Sequence, residues 1–319
     1  MDSRPGRIAI GRRMAAAMTS VPRIDPQVAE ALASGTPVVA LESTLIAHGL
    51  PRGRNLDVAR ELEEIVRSER AVPATIAVVA GEARIGLDAA SLEDMALGGR
   101  FAKAGLRDLA PVMAAGGSAA TTVASTAYLA ARAGIRMFAT GGLGGVHREA
   151  RESWDESADL TTLASTGVTI VCAGVKSILD VRATLERLET LNVCVLGYGT
   201  DRFPGFYLAD SGFPVPWRVD TPEEVASVMR MQAALGLAGR AIVVANPLPA
   251  DQQVEPELHD RVLGDALAAA AEEGITGAAT TPFLLGRFHR ESGGASLEAN
   301  VALVRRNAAL AAQIARAAA

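Results

Sequence analysis

The chain has 319 residues, 49% of them hydrophobic and 21% charged, so it is long enough to bury a large core and too apolar to be disordered. Its formal net charge of −5 argues against a nucleic-acid-binding protein, which needs a basic face. No apolar run is long enough to cross a membrane, and Cys172 and Cys194 lie in apolar runs, which favours core positions in a reducing compartment such as the cytoplasm.

In chain order, residues 1–24 contain several arginines but no long apolar segment, so we expect a flexible tail and no secretory signal. Short apolar runs predict strands at 36–41, 74–79, 135–139, 168–173, 193–198 and 241–245. Amphipathic or capped segments predict helices at 25–34, 55–69, 91–97, 221–235, 255–273, 280–290 and 296–318, with one more ending near 133 and one following 177. This alternation predicts a single α/β domain, 25–319, with a largely parallel or mixed central sheet between two layers of helices.

A carboxylate directly follows the first predicted strand, because Glu42 comes after the apolar run 36–41. Ligands of open α/β sheets bind at the carboxyl ends of the strands. Glu42 is therefore a candidate site residue. A helix cap or a solvated turn is the alternative, and the residues alone leave it open.

Glycines followed by hydroxyl side chains fill 116–126, ahead of a predicted helix. Such a helix start presents backbone N–H groups that can bind a phosphate, although a Ser/Thr-capped helix would have the same sequence. The segment has neither a Walker lysine nor a Gly-x-Gly-x-x-Gly spacing, so a nucleotide-binding Rossmann site is not predicted.

A second glycine loop, 140–145, follows the predicted strand 135–139 and leads to Asp155 and Asp159. These two carboxylates could share a hard cation that keeps several waters, or they could stand at a helix N-terminus opposite its dipole. The aromatic run 203–207 is a loop that could act as a lid.

Lysine is scarce: among 31 lysines and arginines only Lys103 and Lys176 are lysines. Unlike arginine, lysine can lose its proton and act as a nucleophile, although codon bias that spared two surface lysines is the alternative. Lys176 follows the buried run 168–173 and precedes a helical pattern, where burial and the helix dipole would both lower its pKa. The sequence therefore predicts Lys176 as a nucleophile toward a carbonyl group.

Together these motifs resemble the pseudouridine-5'-phosphate glycosidase family. The matching stretches occur in the family's order and are ALEST (40–44), ATIA (74–77), ATTVAST (120–126), GGLGGVHR (141–148), DESADL (155–160), CAGVKSILD (172–180) and TPFLL (281–285). The resemblance implies a single α/β/α domain that forms a homotrimer. It also implies reversible cleavage of the C–C bond between uracil and ribose 5-phosphate.

The resemblance also implies roles for individual residues. Lys176 would be the nucleophile that forms a Schiff base, and Glu42 the proton donor. A divalent ion, Mn²⁺, would bind at Asp155. Contacts to the phosphosugar and the rest of the substrate would come from Lys103, Val123, Ser157, Ala158, Asp159 and Asn300.

The implied chemistry agrees with the residues. A C-glycoside lacks a leaving heteroatom, so a scheme with two carboxylates suits it poorly, whereas an amine on the opened sugar can expel a protonated carbon. Two other functions remain open: a Schiff-base aldolase acting on a sugar phosphate, and a sugar-phosphate-binding regulator without catalysis. The partners expected are small molecules, with no nucleic acid and no membrane.

Overall fold

A computed structural model of the chain describes residues 22–275 and 280–319. The strands that it describes are β1 (Arg23–Ile24), β2 (Val38–Glu42), β3 (Val72–Val79), β4 (Glu82–Ile85), β5 (Ala102–Ala104), β6 (Ala119–Thr121), β7 (Met137–Ala139), β8 (Thr169–Cys172), β9 (Cys194–Tyr198), β10 (Trp217–Val219) and β11 (Ile242–Ala245). They form one eleven-stranded sheet with the order β1-β4-β3-β2-β7-β8-β11-β9-β10, in which β6 also pairs with β3, and β5 pairs with β6. Neighbours are parallel except where β3 meets β4 and β6.

The helices cover the sheet, which confirms the predicted α/β/α class. They are α1 (Pro26–Ser34), α2 (Arg54–Ser68), α3 (Ala89–Leu97), α4 (Leu109–Ala114), α5 (Val123–Arg132), α6 (Ala150–Ser153), α7 (Ala158–Leu163), α8 (Val181–Thr190), α9 (Pro222–Ala234), α10 (Pro256–Glu272), α11 (Thr280–Glu291) and α12 (Ala295–Ala317). The long α12 packs across β2, β7 and β8, next to α2 and α9, whereas α5 packs on β2 and β3 beside α7. Helix starts follow local chemistry: Asp25 caps α1, and Thr221 with Glu224 forms a capping box at α9.

The central strands are buried on both faces, as expected of parallel strands covered by helices. Every residue of β8 and β11 is buried. Cys172, at the end of β8, is fully buried, and burial raises the pKa of its thiol to about 12. It is therefore the inert core residue that the sequence predicts.

Two local predictions need correction, and short strands were missed. The helix after Lys176 begins at Val181 and not at Ile178, because the Asp180 side chain caps it by accepting the Ala183 N–H at 2.9 Å. Strand β6 was not predicted, since three small residues give no apolar run. The aromatic loop is no free lid: its side chains Phe203, Phe206 and Tyr207 are all buried.

Most of the predicted tail, 1–24, lies outside the described residues. Its end, Arg23–Ile24, forms β1 and pairs in parallel with β4. Among the helices within 22–275 and 280–319, none combines the length and the apolar character that crossing a membrane requires.

Candidate active site

Glu42 and Thr140 meet where two neighbouring strands end. Glu42 is the last residue of β2, and Thr140 follows β7, which pairs with β2 in the register Leu41–Ala139. The Thr140 hydroxyl donates a hydrogen bond to the Glu42 carboxylate. Thr140 is buried and Glu42 is partly buried, so this contact lies just below the surface at the carboxyl ends of the strands.

The hydroxyl side chains of Ser43 and Thr121 bind the chain next to Glu42 to β3. The Ser43 and Thr121 hydroxyls both donate to the Ile76 carbonyl of β3, at 2.7 and 2.6 Å, and the Thr121 N–H donates to Ser43 Oγ at 2.8 Å. These bonds connect the residue after β2 with the last residue of β6, and both hydroxyls bind the same carbonyl of β3. Glu42 is thereby fixed at the edge.

Lys176 lies in the loop after β8, the strand on the far side of β7 from β2. Its backbone N–H donates to the Leu143 carbonyl of the glycine loop at 3.1 Å, and Leu143 and Val175 form an isolated parallel bridge. The position at a strand end is as predicted. The helix N-terminus is not, because α8 starts five residues later, so the helix-dipole argument for Lys176 does not apply.

Burial raises the pKa of the Glu42 carboxyl. The charge of Lys176 and the hydrogen bond from Thr140 oppose that rise, the charge of Asp159 adds to it, and Lys103 opposes it. A carboxyl group with a raised pKa keeps its proton closer to neutral pH and can donate it. The electrostatics therefore suit Glu42 to general acid catalysis.

Lys103 belongs to the same charged cluster. It lies on the short edge strand β5, and although the residue is exposed along part of its length, removal of its ammonium group from water lowers its pKa. The charge of Lys176 lowers this pKa further, whereas Glu42 and Asp159 raise it. The two lysines of the chain thus lie close enough to influence each other, with Glu42 nearby.

Asp159 is a buried carboxylate that joins two loops. Its Oδ1 accepts the Ala124 N–H at the start of α5 at 2.9 Å, and its Oδ2 accepts the Gly144 N–H at 2.8 Å. The α5 N-terminus predicted as an anion site therefore already binds an internal anion through Ala124. Val123, the first residue of α5, is buried beside it, and its predicted substrate contact remains a prediction.

The glycine loop requires its glycines because its neighbours approach too closely for a side chain. A Cβ atom at Gly144 would lie 2.3 Å from Ser157 Oγ, and one at Gly145 would lie 2.3 Å from Thr184 Oγ1. Ser157 caps α7 by accepting the Asp159 N–H, its own N–H donates to the Gly145 carbonyl at 3.0 Å, and Ala158 is exposed. The Ser157–Asp159 segment thus lies directly against the glycine loop.

Asp155 forms a pair with His147, with 3.9 Å between Asp155 Oδ2 and His147 Nε2, and the Asp155 carbonyl accepts the His147 N–H. The described residues contain no cluster of three or more side chains that could enclose a metal. One half-buried carboxylate fits a hard divalent cation that is held mainly by water, since such ions retain several water ligands.

Asn300 lies on α12 and faces the glycine loop. Its Oδ1 is buried and accepts no hydrogen bond within the described part of the chain. A Cβ atom at Gly141 would lie 3.5 Å from that oxygen. An unpaired buried acceptor is costly and suits a group that awaits a ligand.

The structure therefore brings together Glu42, Lys176, Lys103 and Asp159, with Asn300 at the glycine loop. Sequence reasoning gave no role to Thr140 or to Asn307, whose side chain binds the Thr140 carbonyl at 2.8 Å. A signal existed for Thr140, a polar residue directly after an apolar strand. Asn307 lies within a long helix, and nothing in the sequence indicates its partner.

Comparisons with known proteins show which family the chain resembles. Residues 27–317 match the family model described as indigoidine synthase A like protein. The pseudouridine-5'-phosphate glycosidase of Streptomyces griseus subsp. griseus is 63% identical over 93% of this chain and 92% of its own. That of Salinispora tropica is 60% identical over 91% and 89%.

Solved structures share the fold. The prealnumycin C-glycosynthase AlnA, in complex with ribulose 5-phosphate, superposes with a TM-score of 0.87 at 35% identity, covering 93% of this chain and 97% of that one. An indigoidine synthase A-like protein from Thermotoga maritima gives 0.81 at 38% identity, covering 88% and 92%. Because two relatives named pseudouridine-5'-phosphate glycosidase are 60–63% identical over about nine-tenths of the chain, the chain belongs to the pseudouridine-5'-phosphate glycosidase family.

Proposed function

We propose that this protein reversibly cleaves the C–C glycosidic bond of pseudouridine 5'-phosphate, giving uracil and ribose 5-phosphate. The observation that carries the proposal is the grouping of a lysine, a carboxyl group with a raised pKa and a second lysine at one sheet edge. Relatives that bear the name of this activity support it, as does a structural neighbour in complex with a pentulose phosphate.

The first part of the proposed reaction makes the sugar reactive. Opening of the ribose ring moves the C1'–O4' bonding electrons onto O4', which takes up a proton, while electrons from the deprotonated uracil ring form a double bond to C1'. The Lys176 amine then adds to C1', and the displaced electrons return to uracil. Only a neutral amine has the lone pair that this step needs, which arginine cannot supply.

Glu42 acts in the second part as a general acid. It donates its proton to C5 of uracil, the C1'–C5 bonding electrons restore the ring, and the nitrogen lone pair forms an iminium with C1'. Water then hydrolyses the iminium, which releases ribose 5-phosphate and restores the Lys176 amine. The pKa of Glu42, raised by burial, favours the protonated acid that this step requires.

Lys103 binds the phosphosugar in this proposal, because it is the other lysine of the charged cluster and the substrate is an anion. The backbone at Val123, the Ser157–Asp159 segment and Asn300 complete the substrate contacts. Asp155 would hold Mn²⁺ with the help of water, and the ion would supply positive charge near the substrate. A homotrimeric assembly and a cytoplasmic location complete the proposal.

A turnover assay tests the function. Uracil release from pseudouridine 5'-phosphate is measured with and without manganese for the wild type, Glu42→Gln and Glu63→Gln. Glu63 is the matched control, because it also accepts a hydrogen bond from a threonine hydroxyl, that of Thr75. It lies on α2, outside the proposed site. We expect the Glu42 variant to fold and to be about 10²–10⁴-fold slower, and the Glu63 variant to keep its activity.

Two outcomes would contradict the proposal, and a third would remove only Glu42 from it. Aldol cleavage of a sugar phosphate without any uracil release would indicate a Schiff-base aldolase. Binding of ribose 5-phosphate without turnover of either kind, unchanged in Lys176→Met, would indicate a regulator. A Glu42→Gln variant within a few-fold of the wild type would remove Glu42 from the mechanism.

A further inference from the structure

Two buried asparagines connect the site around Glu42 to the core through hydrogen bonds. Asn307 lies on α12 and is fully buried, and Asn246, which directly follows β11, is also buried. Asn246 Nδ2 donates to Asn307 Oδ1 at 2.9 Å. Asn307 Nδ2 in turn donates to the Thr140 carbonyl at 2.8 Å and approaches the Gly141 carbonyl at 3.4 Å.

Thr140 connects the two asparagines to Glu42. Its N–H donates to the Val171 carbonyl of β8 at 3.0 Å, its carbonyl accepts from Asn307, and its hydroxyl donates to Glu42. All three polar groups of Thr140 are therefore fixed. A rotation of its peptide unit would move the hydroxyl that touches the Glu42 carboxylate.

The asparagines serve where the regular sheet stops. Strand β7 ends at Ala139, so the Thr140 carbonyl accepts from the Asn307 side chain. An aliphatic side chain at 307 would leave that buried carbonyl unpaired, at a free-energy cost. Asn246 Nδ2 donates to Asn307 Oδ1, which stabilises the orientation in which Asn307 Nδ2 faces the Thr140 carbonyl.

We propose that Asn246 and Asn307 are positioning residues for the general acid Glu42 and that they act through Thr140. The inference rests on the role of Glu42 in the proposed function. The charged groups that act on Glu42 are Lys176, Asp159 and Lys103, and the two asparagines add no charge. Their contribution is to hold the neutral hydrogen-bond donor beside the acid.

This role predicts a particular kinetic signature. The bond donated by Thr140 stabilises the ionised carboxylate, so loosening it raises the pKa of Glu42 further. The acid then stays protonated to higher pH, so the fall in kcat on the alkaline side of the pH profile occurs at higher pH. Turnover itself falls, because a displaced acid protonates C5 less effectively, whereas KM changes little.

The experiment compares variants with matched controls. Asn307→Leu removes the donor to Thr140, Asn246→Ala removes only its orienting partner, and Thr140→Val is the reference for complete loss of the hydroxyl. Asn55→Ala is the control for asparagine, since the Asn55 amide is equally buried and donates to the Ile46 and Ala96 carbonyls, each at 2.9 Å. Thr75→Val is the control for threonine, because Thr75 donates to Glu63.

We expect kcat for uracil release to fall roughly tenfold to hundredfold in Asn307→Leu and less in Asn246→Ala. In both variants the alkaline limb of the pH profile should shift to higher pH. The controls should lose stability without moving that limb. If Asn307→Leu does not fold, Asn246→Ala decides the matter. A folded Asn246→Ala or Asn307→Leu enzyme with the kcat and pH profile of the wild type would overturn the inference.

A second readout does not depend on turnover. Titration of ¹³C-labelled glutamate carboxyls, with Glu42 assigned by comparison with Glu42→Gln, should show a higher Glu42 pKa in Asn307→Leu than in the wild type, and no change in Asn55→Ala. If the wild type itself releases no uracil, an upward pKa shift in Asn307→Leu would refute the proposed function and retain the positioning role. An unshifted titration would refute the positioning role, whatever the activity.

Discussion

Replacing Asp159 by asparagine tests whether its carboxylate holds the site together. The residue is buried, and its two oxygens accept the Ala124 and Gly144 N–H groups at 2.9 and 2.8 Å. Asparagine keeps the shape but turns one oxygen into an NH₂ group. One of the two backbone N–H groups then faces a donor, and the α5 N-terminus and the glycine loop lose their common partner.

The structure allows an estimate of the cost. A hydrogen bond to a charged group contributes about 1.5–3 kcal/mol, and a buried donor left unpaired costs about 1–3 kcal/mol, with the two figures overlapping. We therefore expect Asp159→Asn to lower the free energy of unfolding by about 2–4 kcal/mol. In a chain of this size that corresponds to a fall in Tm of roughly 3–6 °C.

Urea unfolding followed by circular dichroism, together with calorimetric Tm values, measures this cost. Asp155→Asn is the matched control. Asp155 lies near the same loop, but its half-buried carboxylate accepts no hydrogen bond from a backbone N–H in the described residues, so its unfolding free energy should change by no more than about 0.5 kcal/mol. An Asp159→Asn variant as stable as the Asp155 control would refute the reasoning.

Two further predictions concern ligands. Lys103→Ala should raise KM for pseudouridine 5'-phosphate far more than for the unphosphorylated nucleoside, because the change removes a cation from the charged cluster. Uracil release measures both KM values, and an equal change for the two substrates would argue against phosphate binding. Asp155→Ala should lose most of the activation by manganese, because no cluster of other side chains in the described residues could hold the ion in its place. Activation like that of the wild type would place the ion elsewhere.

The fold could be predicted from the sequence where the local pattern and the tertiary environment agree. The run around Ile170 is apolar because β8 is buried on both faces, and Asp25 precedes α1 because its side chain caps that helix. Strand β6 escaped prediction because pairing with β3 and β5, and not its own small residues, makes it a strand. The helix after Lys176 was placed three residues early, because Ile178 and Leu179 are buried in the loop before it.

The candidate site was predictable to the extent that its residues end strands or belong to known motifs. Glu42 and Lys176 stood out because each follows a buried run, and the structure brings both to one edge. The internal partner of Asp159 and the pair Asn246–Asn307 join segments far apart in the chain, so no local pattern indicates them. Such contacts become visible only when the chain is folded.

The measurement that most directly tests the central claim is the location of the covalent intermediate. Borohydride reduction in the presence of ribose 5-phosphate should trap a sugar adduct, and peptide mass mapping should assign it to Lys176. Lys103 is the internal control, since it is the only other lysine of the chain and belongs to the same charged cluster. Lys176→Arg should yield no adduct and no uracil, because a guanidinium keeps its proton. An adduct on Lys103, or an active Lys176→Arg enzyme, would contradict the mechanism.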